Sequence, residues 1–336
     1  MPKKIFITGA SGCIGHYIAN ILIEQTNHEL YFLIRYPQKL KFNYQKRPGI
    51  HIINSDLREI EKNADLLGKM NGAILCATAW GGTKEVFDTN VVKTLSLIKL
   101  LNPDICEQVL YFSTASILDR ENQLLKEAGQ LGTDYIRSKY ELMWELKRLN
   151  KIPPLVCLYP TLVLGGDDHH PYSHLSGNLP DLVKYVSLLR WLKAEGSFHF
   201  IHAADIAQVV YHLIEHPPVS NTMQHLVLGN EAITANQAIA QASEYLGKRI
   251  YLQLNLSDWL IESIIVTFQI KMATWDRFCL DYRHFTYANP VNPSVYGLPH
   301  YCPTIADIFR TRGISPKGRA IAPTPLMLRQ EVMDLK

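Results

Sequence analysis

The sequence predicts an α/β fold, a doubly wound parallel sheet with helices on both faces, followed by a smaller and mostly helical C-terminal part. Three observations carry this prediction. Over the first 165 residues, short β-branched or aromatic runs alternate with longer stretches of helical period, the pattern of βαβ units. Three glycines stand between the first such strand and the first such helix. After Gly165 the rhythm breaks in "GGDDHHPYSHLSGNLP", whose Gly, Pro, Asp and His content reads as a loop.

The elements follow in order. The apolar run Lys4–Thr8 is the first strand, and it leads into Gly12–Gln25, whose apolar residues recur at helical spacing. Further strands are expected at Leu30–Ile34, His51–Asn54, Ala73–Ala77, Gln108–Ser113 and Leu155–Tyr159, with helices at Asp88–Leu101 and Tyr135–Leu149. Beyond the break come a helix around Leu179–Ala194, the strand-like "FHFIHAAD", a helix Ile206–Glu215, a strand Gln224–Leu228 and a helix Thr234–Leu246. From Ala288 the chain is proline-rich with little periodicity, and no internal repeat is visible.

Composition narrows the function. With 47% hydrophobic and 19% charged residues the chain is an ordinary globular one, and a formal charge of +3 spread along the sequence implies no nucleic-acid partner. The six cysteines are widely spaced, without C-x-x-C or zinc-ligand spacing, so they read as small buried residues in a reducing compartment. "MPKKIFITGASG" enters a strand without a signal peptide's apolar stretch, and a cytoplasmic location is expected. The apolar run Leu254–Trp275 carries Asp258, Glu262 and Lys271, so it reads as a packed helix and not an integral membrane segment, with contact at a membrane surface the lesser reading.

The glycines Gly9, Gly12 and Gly15 carry the first chemistry. Their spacing between strand and helix gives a tight turn, a bare backbone and close helix–strand packing, so that a pyrophosphate can sit on the helix N-terminus beside Ser11, Gly12, Cys13 and Ile14. The fold expected is therefore the Rossmann type, with a nicotinamide dinucleotide as cofactor. At the end of the second strand, an acidic residue would bind the ribose 2′-OH of NAD, whereas Arg35 suits the 2′-phosphate of NADP. NADP(H) is thus favoured and NAD(H) stays open. Asp56 and Leu57, after the third strand, are candidate adenine contacts, and the small residues Ala77, Thr78 and Ala79 would let backbone approach the cofactor. Residues 1–165 are expected to form the dinucleotide-binding part, with 196–230 returning to it; 166–195 and 231–336 would form the substrate-binding part and a C-terminal extension.

At this point the chain resembles the extended short-chain dehydrogenase/reductase superfamily, which holds NAD(P)-dependent epimerases, dehydratases and dihydroflavonol-reductase-like enzymes. The matching segments run in order: "ITGASGCIG", "SDL", "ATA", "DTNVVKTLSLIKLL", "YFSTAS", "YIRSK", "YPTLVLGG", "FHFIHAADIAQVV" and "LVLGNEAITANQAIAQASEYLGK", over roughly residues 3–250. The resemblance implies that Thr114, or Ser113 beside it, binds the reacting oxygen, that Tyr135 passes the proton and that Lys139 holds the nicotinamide ribose. It gives Asn90 a supporting role and sets Pro160 beside the nicotinamide. Tyr135 and Lys139 form the only Y-x-x-x-K in the chain, and residues four apart share a helix face. A lysine ammonium and a nearby oxidised nicotinamide are both expected to favour phenolate and so to lower the tyrosine pKa from its reference of about 10.

Three departures bear on the substrate. Lys93 replaces a glycine common in the family, Tyr159 stands where many members have arginine, and the asparagine that sugar-nucleotide epimerases carry nearby is not evident in "YPTLVLGG". The expectation is therefore an NADP(H)-dependent reductase or dehydrogenase acting on a small, apolar-leaning carbonyl or alcohol. The alternatives are an NAD-dependent nucleotide-sugar epimerase or dehydratase, and a non-catalytic NAD(P)-binding assembly factor or redox-sensing subunit. A homodimer is compatible with all three.

The loop holding Asp167, Asp168, His169, His170 and His174 lacks the helical spacing that would aim two imidazoles at one ion, so no metal is expected and it reads as part of the substrate mouth. Trp259, Phe268, Trp275, Phe278 and Tyr282 read as core or subunit interface before substrate box.

Overall fold

The computed structural model describes residues 2–217, 223–267, 269 and 271–317; Phe268 and the chain after residue 317 lie outside them. In chain order the elements are β1 (Lys4–Thr8), α1 (Cys13–Gln25), β2 (Glu29–Ile34), β3 (Ile50–Asn54), α2 (Ala64–Leu67), β4 (Gly72–Leu75), α3 (Thr83–Phe87), α4 (Thr94–Leu100), β5 (Gln108–Phe112), α5 (Lys126–Leu131), α6 (Asp134–Arg148), β6 (Leu155–Pro160) and β7 (Leu162–Leu164). They continue with α7 (His174–Leu189), β8 (Leu192–Lys193), β9 (Ser197–Phe198), β10 (Phe200–His202), α8 (Ala203–Glu215), β11 (Gln224–Leu228), β12 (Ile233–Thr234), α9 (Ala235–Tyr245), β13 (Leu254–Asn255), α10 (Asp258–Thr267), α11 (Thr274–Tyr282), β14 (His284–Phe285) and α12 (Ile305–Thr311).

Seven strands form one sheet in the order β11-β6-β5-β4-β1-β2-β3, every neighbour pairing parallel. Parallel strands with helices on both faces read as continuous apolar runs, and β5 and β6 are buried at every position. Alternation along β1 feeds two cores: Phe6 packs on one face with Leu97, Leu142 and Met143, while Ile5 and Ile7 pack on the other with Ile18, Leu22, Val209 and Val210. Thus α4 and α6 cover one face, α1 and α8 the other. The chain leaves β1 towards β2 and returns to β4 on the opposite side, so the carboxyl ends of β1 and β4 border the crevice where ligands of such sheets bind.

The six strands expected in the first half stand within two residues of their expected ends, and four differences have local causes. The helix expected over Asp88–Leu101 opens as a wide π turn at Asp88–Lys93 before tightening into α4. The helix expected around Leu179–Ala194 starts earlier, where Ser173 caps it by accepting from Ser176, and ends at Leu189 so that β8 can pair with β13. In "FHFIHAAD" only the first residues are strands, because His202 accepts the amide of Ala204 and starts α8. The single packed helix expected over Leu254–Trp275 is instead a short strand, α10 and the start of α11; Ala273, in extended backbone, separates the two helices.

Candidate active site

The turn from β1 into α1 is built from backbone. Gly9 lies at φ +77°, and a Cβ there would stand 2.5 Å from the amide nitrogen of Ala77. A Cβ on Gly15 would stand 2.2 Å from the Gly9 carbonyl oxygen, so this glycine brings helix and strand together. Gly12 differs: its Cβ would meet only the Gly9 oxygen, at 3.4 Å. The protein's own packing does not demand a bare backbone there. Gly12 is also the N-cap of α1 with no side-chain cap, and the first turn holds no acidic residue. An uncapped helix N-terminus behind a bare backbone fits a pyrophosphate. The Cys13 side chain packs towards Gly165, and burial pushes its thiol up to about 12.

At the end of β2, Arg35 is half exposed and lies 3.6 Å from Asp56. That carboxylate is engaged by Arg58, which donates from Nε and Nη2 at 3.1 and 2.8 Å, and these bonds hold Asp56 down at about 2. The Asp56 carboxylate also accepts the Arg58 amide and so caps the turn that Leu57 begins, where Leu57 itself faces the core.

The end of β4 is stapled to α6 through Asn90. This side chain is fully buried; its Oδ1 accepts from the Thr78 hydroxyl at 3.1 Å and the Ala79 amide at 2.8 Å. Its Nδ2 donates to the Ala79 carbonyl at 3.1 Å and the Ser138 hydroxyl at 2.9 Å, and Ser138 donates in turn to the Tyr135 carbonyl at 2.7 Å. The π turn carries Asn90, a placement often found at functional sites. A second tie joins the Thr83 hydroxyl to Asp134 at 2.6 Å. Between the ties, Trp80 stacks on the Tyr135 ring at 3.9 Å while keeping 58% of its surface exposed.

Thr133 caps α6 by accepting from the Ile136 amide, which starts the helix one turn before Lys139. Lys139 is buried, donates from Nζ to the Phe112 carbonyl at 2.8 Å and lies 5.9 Å from the centre of the Tyr135 ring. Burial lowers it to about 7. Tyr135 is raised above its ordinary value, chiefly by burial, with the Thr114 side chain pulling the other way. The lowered tyrosine expected from a neighbouring ammonium is therefore not what the protein alone produces, because burial dominates at both groups. Thr114 begins the turn after β5, its hydroxyl 3.3 Å from that of Ser116. Ser113 is buried and still in ladder geometry, its amide donating to Leu158. Pro160 ends β6 beside Leu228 of β11.

Beyond the Thr114 turn lies a cavity of about 530 Å³. Ala115, Ser116, Thr161 and Leu162 line its sheet side, and the rest includes Phe198, His199, Leu256, Ile261, Leu280, Phe285 and Tyr287, with Glu195 and Ser197 among its polar members. Its guanidinium, Arg283, is engaged by Glu195 and Asp258. Of the aromatics expected between residues 251 and 285, Trp275, Phe278 and Tyr282 join the core cluster around α6, while Trp259 is exposed. The histidine loop divides: His170 stacks on Tyr17 of α1 at 3.8 Å and bonds Asp167 and Asn20, whereas His174 stands edge-on to Trp80 at 5.5 Å. Sequence reasoning missed Trp80, whose place before Gly81 and Gly82 at a strand end was the available signal, and it missed Ser138, Thr161 and His199.

Residues 5–229 match the sequence model of the NAD dependent epimerase/dehydratase family. A search of curated proteins returned no match. Among solved structures, the chain is similar to gox2253, at 18% identity and TM-score 0.67, over 93% of this chain and 99% of that one. It is similar to the Bordetella bronchiseptica enzyme WbmG in complex with NAD, at 15% identity and TM-score 0.64, over 94% and 96%. It is also similar to the UDP-N-acetylglucosamine 4-epimerase from Methanobrevibacter ruminantium M1 in complex with UDP-N-acetylmuramic acid, at 16% identity and TM-score 0.64, over 93% and 98%. At these identities the structures share the fold.

Proposed function

The chain belongs to the NAD-dependent epimerase/dehydratase family, and from that premise we propose that it is an enzyme transferring hydride between a nicotinamide dinucleotide and a hydroxyl- or carbonyl-bearing carbon, with Tyr135 passing the proton. The observation that carries this reading is that Thr114, Tyr135 and Lys139 lie together, with Thr114 one residue before the lining of a ligand-sized cavity and at the same carboxyl end of the sheet from which the uncapped glycine turn leaves.

The cofactor, when bound, supplies the hydride donor or acceptor. Gly12 and the first amides of α1 would hold its pyrophosphate, Ala77 to Ala79 would flank its nicotinamide half together with Pro160, and Arg35, Asp56 and Leu57 would border its adenosine half. Thr114 orients the substrate oxygen by a hydrogen bond, with Ser113 one residue back, just past the end of β5. Burial keeps the Tyr135 hydroxyl protonated over the neutral range, so it can donate to an oxygen that gains negative charge. Lys139, fixed by the Phe112 carbonyl, adds positive charge beneath that proton when it is itself protonated. Asn90 holds the Thr78–Ala79 backbone and α6 at one spacing.

The hydride step is shared by two overall courses. The family description and the named neighbours, one holding NAD and another a UDP-N-acetylglucosamine 4-epimerase, support epimerisation or dehydration of a nucleotide sugar with NAD retained. Two observations favour net reduction with NADPH as a second reading. Arg35 stands half exposed where a 2′-phosphate would arrive, and the cavity is largely apolar with its arginine already engaged by two carboxylates. Thermal stabilisation by NAD, NADH, NADP and NADPH, followed by turnover on nucleotide sugars and on apolar ketones, separates the courses. Tyr135→Phe is expected to lose 10²- to 10⁴-fold in turnover while keeping cofactor binding. Full turnover in that variant overturns the assignment; binding without turnover on either panel by the unmodified protein supports a non-catalytic dinucleotide-binding role instead.

A further inference from the structure

The helix α7 carries two apolar faces. One, with Leu179, Val183 and Val186, packs into the cluster formed with α9 and α12. The other leaves Leu182, Tyr185 and Leu188 exposed, three residues apart and hence on one stripe. This stripe continues without a break in structure. Trp191 follows α7, and its carbonyl accepts the amide of Leu254, while the side chain of Arg190 donates to the Arg249 carbonyl, so the segment 249–254 lies alongside 190–192. Trp259 begins the next helix. Tyr185, Leu188, Tyr251, Leu252, Leu254 and Trp259 are each between 59% and 76% exposed. Apolar groups this exposed stand proud of the surface and do not line a groove.

Four cations are interleaved with them: Arg190, Lys193, Lys248 and Arg249. None has a carboxylate partner within salt-bridge distance among the described residues; Arg190 lies over the Trp191 ring at 4.8 Å, and Lys248 donates to the Ser187 hydroxyl. Of the nearby acids, Asp181, Glu195 and Asp258 are engaged by Lys184 and Arg283, while Glu244, exposed at the end of α9, stands four residues before Lys248 and leaves the patch still net positive. We propose that this surface, formed by α7, β8 and the segment 248–259, docks on an anionic lipid bilayer. Projecting Trp, Tyr and Leu side chains among cations suit a fluid interface with negative headgroups. A second copy fits worse, because a two-fold contact through this patch would set the four cations of each chain against those of the other. Of the cavity lining, Leu256 lies within this segment and Ile261 two residues beyond it, so a docked protein would hold that cavity next to the membrane surface.

The test is co-sedimentation of the full chain with vesicles of phosphatidylcholine alone and with about one-third phosphatidylglycerol, at low and high salt. Binding is expected to the anionic vesicles and to weaken with salt. Lys193→Gln with Arg249→Gln should weaken it about fivefold per charge removed, and Leu252→Ser with Trp259→Ser should weaken it independently at constant charge. All four positions are exposed, so an unchanged thermal melt separates lost docking from lost folding. Failure to bind anionic vesicles overturns the proposal, as does binding that neither pair of substitutions alters. A concentration-dependent dimer dissolved by Leu252→Ser with Trp259→Ser, or an acidic protein captured in place of vesicles, would also overturn it.

Discussion

Removing the Asn90 side chain should loosen the contact between the end of β4 and α6, and the size of the effect follows from its four hydrogen bonds. Asn90→Ala deletes bonds to the Thr78 hydroxyl, to the amide and carbonyl of Ala79 and to the Ser138 hydroxyl. A net 0.5–1.5 kcal/mol for each sets a span of about 2–6 kcal/mol. Two features pull the value towards the lower half. Ala79 is only half-buried, so water can reach its orphaned backbone groups, and Ser138 keeps its bond to the Tyr135 carbonyl. The expected loss is about 3 kcal/mol, read as a lower urea midpoint at unchanged slope. Ser138→Ala isolates one bond, and the double variant should reveal a coupling of about 1 kcal/mol between the two side chains. Cofactor-induced stabilisation should fall in Asn90→Ala more than in Ser138→Ala, because only the former releases the Thr78–Ala79 backbone. A loss under about 1 kcal/mol together with zero coupling would refute the staple.

Two further predictions concern backbone fit and buried charge. Gly15→Ala should cost about 1–3 kcal/mol or more, since its Cβ meets only backbone, whereas Gly12→Ala should leave the urea midpoint unchanged and weaken cofactor binding; equal behaviour of the two would contradict the division of roles. Asp205 is fully buried, accepts the amides of Tyr301 and Cys302, and is raised by burial from 3.8 to about 7. The unfolded chain ionises this group first, so its protonated form favours folding; that contribution is complete below about pH 4 and is lost as pH rises through 7, an upper bound of about 4 kcal/mol. Stability of the unmodified chain relative to Asp205→Asn should therefore decline between pH 4 and 7, and a flat difference would refute it.

The sheet and the glycine turn were legible because their signals are local. A parallel strand buried on both faces is a continuous apolar run, and the Gly9, Gly12 and Gly15 spacing needs only the strand before and the helix after. Tyr135 and Lys139 were legible for the same reason, one helical turn apart. Asn90 could be named from its motif, but its partners Ala79 and Ser138 stand 11 and 48 residues away, and no period in the sequence encodes such a pairing. Trp80 escaped because a tryptophan among glycines reads as an exposed loop residue, and its contact with Tyr135 depends on the bonds that fix Ala79 and Thr83. The region after Gly165 failed at boundaries, where two-residue strands such as β8 and β13 are stabilised by each other across about 60 residues and not by propensity.

This difference in legibility has a chemical counterpart. The proposed cofactor side is held by close backbone approaches, such as that at Gly15, where an added Cβ would stand 2.2 Å from a carbonyl oxygen. The proposed substrate side is assembled from distant short segments, with His199, Leu256 and Phe285 meeting around one cavity. A fold can therefore keep the first while the second changes, which is why family membership supports a hydride step more firmly than it supports any substrate. At Arg283 the two levels meet. Its engagement by Glu195 and Asp258 leaves the cavity's guanidinium neutralised, so a substrate carrying a diphosphate would have to displace a carboxylate to reach it, and an uncharged substrate would not.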